Sequence, residues 1–399
     1  MASETALPTA ATLATTPLDA DRLPQTRWAA RGLFATLGLI GGAWGAHIPS
    51  IKAHYALNDL WLAIVLLAGA LGAVSSLFFA GRVIARLGVR RAAQLAAAAM
   101  TSLLAAALQW PGLWALLPAM AVFGAAMSLF DVAINAEGTV IENLSGRRVM
   151  SNLHALFSVG GMLGAGLCAL LLGAAVPATW QLAIIGAGVM LLAGGSSCWM
   201  LAEHPPEEAA ADAAPQAHFA WPRGTLLVIG LLILAGMTAE GVMYDWCVLY
   251  LKQELQMPQA RAALGFSAFS AAMALARFGA DALRERFAEA RLLAAGALLA
   301  AVAMAAVLLI GDPTFALIGY ALVGAGLAPV VPILFSAATR VPGVSRAAAI
   351  ASVSSIGYAG FMIGPPLIGG IAQAASLTAA MGVVVLAAAA LAIGARRVP

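Results

Sequence analysis

Twelve apolar stretches run through the sequence, each of about 20 residues, which is the length that an α-helix needs to cross the hydrocarbon core of a membrane. They predict an all-α membrane protein whose two chain ends lie on the same side of the bilayer. The predicted spans are residues 28–48, 60–80, 92–110, 113–136, 150–173, 179–201, 224–250, 262–282, 291–310, 313–336, 347–372 and 376–395.

The composition excludes an ordinary soluble protein. Hydrophobic residues make up 62% of the chain and charged residues only 10%, whereas a soluble domain carries roughly 25% charged residues. Cys168, Cys198 and Cys247 fall within predicted spans and lack metal-ligand spacing, so we interpret them as small apolar residues. The sequence contains no phosphate-binding, metal-binding or nucleophile-elbow motif, so neither an enzyme nor a cofactor is expected.

Basic residues concentrate on one side of the predicted spans. If the N-terminus is cytoplasmic, 18 of the 21 lysines and arginines lie on the cytoplasmic side, and the exceptions are Lys52, Lys252 and Arg261. This asymmetry predicts a bacterial-type inner-membrane protein with both termini in the cytoplasm. Because the arginines lie in short loops between spans, the net charge of +3 does not indicate nucleic-acid binding.

The spans divide into two groups of six. Residues 203–222 are acidic and rich in proline and alanine, and they predict a cytoplasmic linker between an N-terminal half, residues 27–202, and a C-terminal half, residues 223–399. Residues 1–26 lack the features of a signal peptide, and we expect them to form a disordered cytoplasmic tail.

The two halves repeat each other at an offset of 200 residues. Gly124 matches Gly324 and Gly160 matches Gly360, and the basic loops and glycine-rich helices fall in corresponding places. Two parallel halves of this kind are a transporter architecture in which the solute site lies near the middle of the membrane.

Polar residues follow one face of each helix in the hairpin formed by residues 131–166. Ionisable groups in hydrocarbon cost a few kcal/mol or more, so they normally face a cavity, a partner or a pathway. The face of the first helix carries Asp131, Asn135, Gly138 and Glu142, spaced i, i+4, i+7 and i+11. The face of the second helix carries Ser151, His154, Ser158 and Gly161.

Asp131 and His154 are predicted to lie at similar depth in the cytoplasmic third of the membrane. A carboxyl group removed from water can take up a proton near neutral pH, and histidine titrates there unaided, so one interpretation is a proton-binding site. Asn135 either binds the solute or bridges neighbouring helices.

The alternative interpretation of these acidic residues is a gate. Asp131 and Glu142 would then pair with Arg82, Arg86 or Arg147 and hold the cytoplasmic face in one state. Both interpretations stay open for Asp131, whereas Glu142 lies at or beyond the end of its span, where a gate is favoured.

A second polar cluster is predicted in the outer half of the membrane. Glu240 has no evident basic partner nearby in sequence and shares a helix face with Tyr244. A carboxylate beside aromatic rings can hold a polyol by hydrogen bonds and ring contacts, or a cation. The alternative for Glu240 is a hydrogen bond to a neighbouring helix, and Trp44 is either a wall of the site or an interfacial anchor.

The loop after the second predicted span reads GRVIARLGVRR over residues 81–91. Gly81, Arg86, Gly88 and the final arginines make it resemble the loop signature of the major facilitator superfamily, with Ala85 at the position of an aspartate. The equivalent stretch of the second half reads ARFGADALRERF.

Within that second stretch, Arg277 and Asp281 are spaced i, i+4. They are predicted to form a cytoplasmic ion pair that breaks in one transport state.

The hairpin of residues 131–166 and the segment AEGVMYDW, residues 239–246, resemble more narrowly the branch that contains fucose permease and MosC-type proteins. The resemblance implies twelve helices in two pseudo-symmetric six-helix halves. For fucose-permease-like members it also implies import of sugars with protons through membrane carboxylates.

We therefore predict a secondary transporter that moves a small polar solute, sugar- or polyol-like, by alternating access with proton coupling. Its partners would be the solute, protons and the lipid bilayer, and a monomer is favoured. Two alternatives are a proton-driven efflux antiporter for amphiphilic or cationic compounds and a transporter-like sensor without flux.

Overall fold

The computed structural model describes residues 17–147, 149–201 and 221–398, and at residues 17–22, 281 and 347 it describes the backbone alone. Throughout these ranges the secondary structure is helical, without strands. Residues 1–16 of the predicted tail and residues 203–220 of the predicted linker lie outside the described residues. The rest of the predicted tail, from Pro17 onwards, is helical.

The α-helices follow one another with short connections. They are α1 (Pro17–His54), α2 (Asp59–Leu87), α3 (Val89–Ala105), α4 (Leu113–Ser145), α5 (Met150–Gly173), α6 (Ala178–Ser197), α7 (Gly224–Gln253), α8 (Gln259–Arg286), α9 (Glu289–Ile310), α10 (Pro313–Leu327), α11 (Val330–Ala338), α12 (Arg346–Ala374) and α13 (Leu377–Gly394), followed by a 3₁₀ turn, Ala395–Arg397.

Helices α10 and α11 form one apolar segment, Pro313–Ala338, that is interrupted at Pro329. Proline lacks the amide hydrogen that a helix interior needs, so the hydrogen-bond ladder breaks there. In the described ranges, ten helical segments are long and apolar enough to cross a membrane. Two further helices pack along the bundle and are consistent with the predicted twelve spans. Helix α3 is short, with 17 residues, and the apolar character of α1 is reduced by its glycines, Trp44 and His47.

Exposed tryptophans mark both ends of the bundle. We call the end at which α1 begins and α13 ends the terminal face, and the other end the opposite face. Trp199 and Trp221 are 53% and 78% exposed near the terminal face, and Trp114 and Trp180 are 76% and 65% exposed at the opposite face. Indole rings favour the membrane–water boundary, so these two belts fit a bundle that spans a bilayer.

Helices α1–α6 and α7–α13 form two halves that repeat the same packing. Helices α2 and α8 start 200 residues apart, at Asp59 and Gln259. Gly124 of α4 packs directly against the backbone of Gly69 in α2, and Gly324 of α10 packs in the same way against Phe269 in α8. The internal repeat predicted from the sequence therefore corresponds to equivalent close helix contacts.

Replacing Gly124 with alanine is expected to destabilise the protein by about 1–3 kcal/mol, because the new Cβ would collide with the Gly69 carbonyl and force α2 and α4 apart. Thermal unfolding in detergent measures the effect. Gly194→Ala is the matched control, because a Cβ at that helical position meets open space. Equal stability of the two variants would contradict close packing at Gly124.

Candidate functional site

A buried ion pair lies near the middle of α7. Arg277 of α8 places Nη2 at 3.2 Å from Oε1 of Glu240, and both side chains are about one-tenth exposed, 12% and 11%. The hydroxyl of Tyr244, one turn along α7, donates to the same Oε1 at 2.9 Å. Nη1 of Arg277 donates at 2.7 Å to Oγ of Ser158 on α5, so the cluster also joins the two halves.

Arg277 has a partner that the sequence did not indicate. The i, i+4 spacing suggested pairing with Asp281, whose side chain lies outside the described residues, and no basic residue close in sequence to Glu240 marked its partner. In the structure, Arg277 reaches across the helix interface to Glu240, in agreement with the alternative of a hydrogen bond from Glu240 to a neighbouring helix. Spacing along one helix shows which pairs are possible within that helix, but it cannot show which partner a neighbouring helix supplies.

Asp131 and Asn135 lie together on α4, as their spacing predicts. Nδ2 of Asn135 donates to the Asp131 carboxylate Oδ1 at 2.9 Å and to its backbone carbonyl at 2.8 Å. Asp131 is half-buried and lies close enough to Tyr358 of α12 for an electrostatic interaction. Helix α4 continues to Ser145, beyond the predicted span 113–136, so Asp131 lies just past the middle of its helix.

His154 lies one turn into α5, on the face that carries Ser158. Its ring packs edge-on against Phe34 of α1, with 5.3 Å between ring centroids, and the residue is exposed. It also interacts electrostatically with Arg277. His154 is therefore accessible to solvent on the terminal side of the Glu240–Arg277 pair.

Aromatic rings surround Tyr244. Its ring lies 5.4 Å from that of Phe266 and 5.6 Å from that of Phe269, and Phe157 of α5 approaches edge-on at 6.4 Å. Trp44, which is only 8% exposed, packs against Phe123 with 5.6 Å between ring centroids. Trp44 is therefore part of the packed interior and not an interfacial anchor.

Asp245 is a further carboxylate of α7 that lies five residues beyond Glu240, on a different face of the helix. Helix α7 is continuous through Gly241, so no break turns this side chain towards the Glu240 cluster. It lines a small separate cavity with Gly241 and Phe361, between α7 and α12.

At the terminal face, the ion pairs of the described residues include none between Glu142 or Asp131 and Arg82, Arg86 or Arg147. Oε2 of Glu142 accepts hydrogen bonds from the backbone N–H groups of Val149 at 2.7 Å and Met150 at 3.1 Å. The carboxylate thus caps the start of α5, where backbone donors lack partners and the helix dipole favours negative charge. Arg82 and Arg86 are exposed on the last turns of α2.

The opposite face is closed by polar contacts that our sequence analysis missed. Nε2 of Gln259 on α8 donates to the Ala46 carbonyl at 3.0 Å and to Oγ of Ser50 at 2.8 Å, both on α1. Nζ of Lys52 contacts Asp59 at 2.6 Å and Gln253, at the end of α7, at 3.0 Å. These contacts tie the two halves together at this face.

The internal repeat contains a signal for the residues that form these contacts, although the repeated pairs themselves lie within one half each. Lys52 pairs with Asp59, and 200 residues later Nζ of Lys252 donates to Oε1 of Gln259 at 2.8 Å. In both halves, a lysine is followed seven positions later by a polar acceptor. This repeated spacing predicts one side-chain contact between α1 and α2 and an equivalent contact between α7 and α8.

Replacing Gln259 with alanine is expected to weaken the closure of the opposite face. Two hydrogen bonds between the halves are lost, each worth about 0.5–1.5 kcal/mol, so the ratio of open to closed molecules should rise roughly tenfold or more. Spin labels at Ala56 and Gln256, both exposed in opposite-face turns, would report a larger long-distance population in a cysteine-free background.

Gln109→Ala is the control for that experiment. Gln109 is at the same face, and among the described residues its side chain donates only to the Ala105 carbonyl, at 3.1 Å, within its own segment. An unchanged distance distribution in the Gln259 variant would refute the role of these bonds in closure.

Comparisons with known proteins agree on one family. A family model described as Major Facilitator Superfamily matches residues 226–399. An MFS-type transporter of Yersinia pestis is 35% identical over 368 residues, which cover 92% of this chain and 94% of that protein. The membrane protein MosC of Rhizobium meliloti is 31% identical over 354 residues, which cover 86% of this chain and 83% of MosC.

A solved structure shares the fold. FucP, the fucose:proton symporter of E. coli, crystallised in the outward conformation, matches with a TM-score of 0.65 at 18% identity. The match covers 93% of this chain and 97% of FucP.

Proposed function

The chain belongs to the major facilitator superfamily, and from this premise we propose that it carries a small polar solute, sugar- or polyol-like, across the inner membrane together with protons. The family assignment confirms the resemblance predicted from residues 81–91 and from the MosC-like hairpin of residues 131–166. The protein is accordingly a multi-pass membrane transporter. Its substrate, its coupling ion and its orientation are the subject of the proposal.

The observation that carries the proposal is the cluster around Glu240. Oε1 is occupied by Arg277 and Tyr244, whereas Oε2 makes no hydrogen bond to the described residues. That oxygen could accept a hydrogen bond from one hydroxyl of the solute, and Arg277 could donate a hydrogen bond to a second hydroxyl. The rings around Tyr244 offer an apolar face for a sugar ring.

The same cluster disfavours a cationic solute. The guanidinium of Arg277 balances the charge of Glu240, so the Glu240 carboxylate does not offer an uncompensated negative charge to a cation. This supports carriage of neutral hydroxyl-rich compounds over efflux of lipophilic cations.

We assign the proton to Asp131. Glu240 is paired with a permanent cation, but no basic side chain pairs with Asp131 in the described ranges, where its hydrogen-bond partner is the neutral amide of Asn135. A carboxyl group in that position can exchange a proton without first breaking an ion pair. His154, exposed on the terminal side of the cluster, would relay protons to and from water.

The proposed cycle alternates between the two faces. In this structure, contacts of Lys52 and Gln259 close the opposite face, while His154 is exposed and Asp131 is half-buried. The excess of arginines in terminal-face loops supports a cytoplasmic terminal face, so this state would be the one open to the cytoplasm.

The test is a thermal-stability screen of the purified protein against sugars, polyols, nucleosides and lipophilic cations at two pH values. A ligand at about 100 times its dissociation constant raises the apparent stability by about 2.7 kcal/mol. We expect a pH-dependent shift with a sugar or polyol, absent in Glu240→Gln and kept in Glu285→Gln, whose side chain is exposed on the last turn of α8. A shift with cations alone would refute the assignment of the solute.

A further inference from the structure

A second cavity, of about 230 Å³, opens at the terminal face within the N-terminal half. It lies between the first part of α1, the end of α4 and the start of α5, and it shares no lining residue with the Glu240 cluster. Its polar lining is Arg27, Arg31, Arg147 and Asn152, and its apolar lining is Ala30, Ile141, Val149 and Leu153.

The cavity carries a strong excess of positive charge. Arg27 and Arg31 lie one turn apart on α1, and Arg147 faces them from the turn between α4 and α5. Among the described residues none of the three forms an ion pair. The neighbouring carboxylate of Glu142 is engaged by the backbone N–H groups that begin α5.

One of these guanidinium groups has a buried donor without an acceptor. Nε of Arg27 is shielded from solvent and makes no hydrogen bond to any described residue. A charged donor that has lost its hydration and gained no partner is unfavourable, so an acceptor entering the cavity would restore the missing bond.

The geometry points to an anion with several oxygens. Guanidinium groups bind phosphate through paired N–H···O bonds, and Asn152 adds an amide donor. Arg31 lies 4.5 Å above the ring of Trp28, which is 69% exposed, as in a membrane–water interface. The cavity is therefore at the depth of lipid headgroups.

We propose that this cavity binds a phosphate-bearing anion, supplied by the headgroup of an anionic phospholipid or by a soluble phosphate ester. Basic pockets between membrane helices on the cytoplasmic side are a known way to hold such headgroups. The bound anion would bridge Arg27 and Arg31 on α1 to Arg147 beside α5. The proposal does not depend on the solute or on its coupling to protons.

The experiment measures the unfolding temperature of the full chain in detergent with two probes. Sodium phosphate is compared with sodium chloride at equal ionic strength, and phosphatidylglycerol is compared with phosphatidylcholine added to the micelles. We expect stabilisation of the wild type by at least one probe and about tenfold weaker binding in Arg27→Gln and Arg147→Gln. Arg396→Gln, which removes an exposed terminal-face arginine, should respond like the wild type.

The outcomes separate the sources of the anion. Stabilisation by phosphatidylglycerol alone identifies a lipid headgroup, and stabilisation by phosphate alone identifies a soluble ester. The proposal is overturned if neither probe stabilises the wild type, or if all three variants respond equally. Should Arg27→Gln fail to fold, Arg147→Gln decides, because Arg147 is exposed on a turn.

Discussion

Replacing Arg277 with glutamine is expected to destabilise the protein by about 3–5 kcal/mol and to abolish solute transport. The substitution leaves the Glu240 carboxylate, only 11% exposed, without its cation, and removing one partner of a buried pair costs that much. Ser158 also loses the donor that joins the halves. Thermal unfolding in detergent measures the first effect, and uptake into proteoliposomes measures the second.

The double variant Arg277→Gln with Glu240→Gln tests the physical reason. Two neutral amides leave no uncompensated charge, so most of the lost stability should return, while transport should stay absent because the proposed solute contacts are gone. Arg396→Gln, on the exposed 3₁₀ turn, controls for the loss of one positive charge. A double variant less stable than the single one would show that the ion pair is not the source of the effect.

The helices were predictable because the membrane imposes a simple rule on sequence. A span must be long and apolar, and its ends are marked by glycine, proline or charged residues. Helix α5 has the predicted bounds, 150–173. Helix α4 does not, because its last turns are polar in sequence while remaining helical, so an apolar window ends before Ser145.

The partners within the site were not predictable in the same way. Periodicity placed Asp131 with Asn135 on one face, since both lie on one helix. The pairing of Glu240 with Arg277 depends on the rotation and depth of α7 against α8, which hydropathy does not encode. The contacts of Lys52 with Asp59 and Gln253 were missed because a lysine at a helix end was interpreted only as an indicator of membrane topology.

Replacing Asp131 with asparagine is expected to abolish proton-driven accumulation of the solute while leaving exchange of solute across the membrane. Asparagine has nearly the shape of a protonated aspartic acid and can still bond to Asn135, so solute binding and alternating access should persist. The variant cannot release a proton, so the pH gradient can no longer drive the cycle. Counterflow and pH-gradient-driven uptake in proteoliposomes, with the sugar or polyol that stabilises the protein, measure the two activities separately.

Asp245→Asn provides the sharpest comparison, because Asp245 is another membrane carboxylate but lines a separate cavity beside Phe361. If Asp131 carries the proton, the Asp245 variant should accumulate solute like the wild type. If the Asp245 variant loses accumulation and the Asp131 variant keeps it, the proton site belongs to α7 and our assignment is wrong. Loss of exchange as well as accumulation in Asp131→Asn would instead place this carboxyl group among the contacts to the solute, since a group that serves only the proton is not needed for exchange.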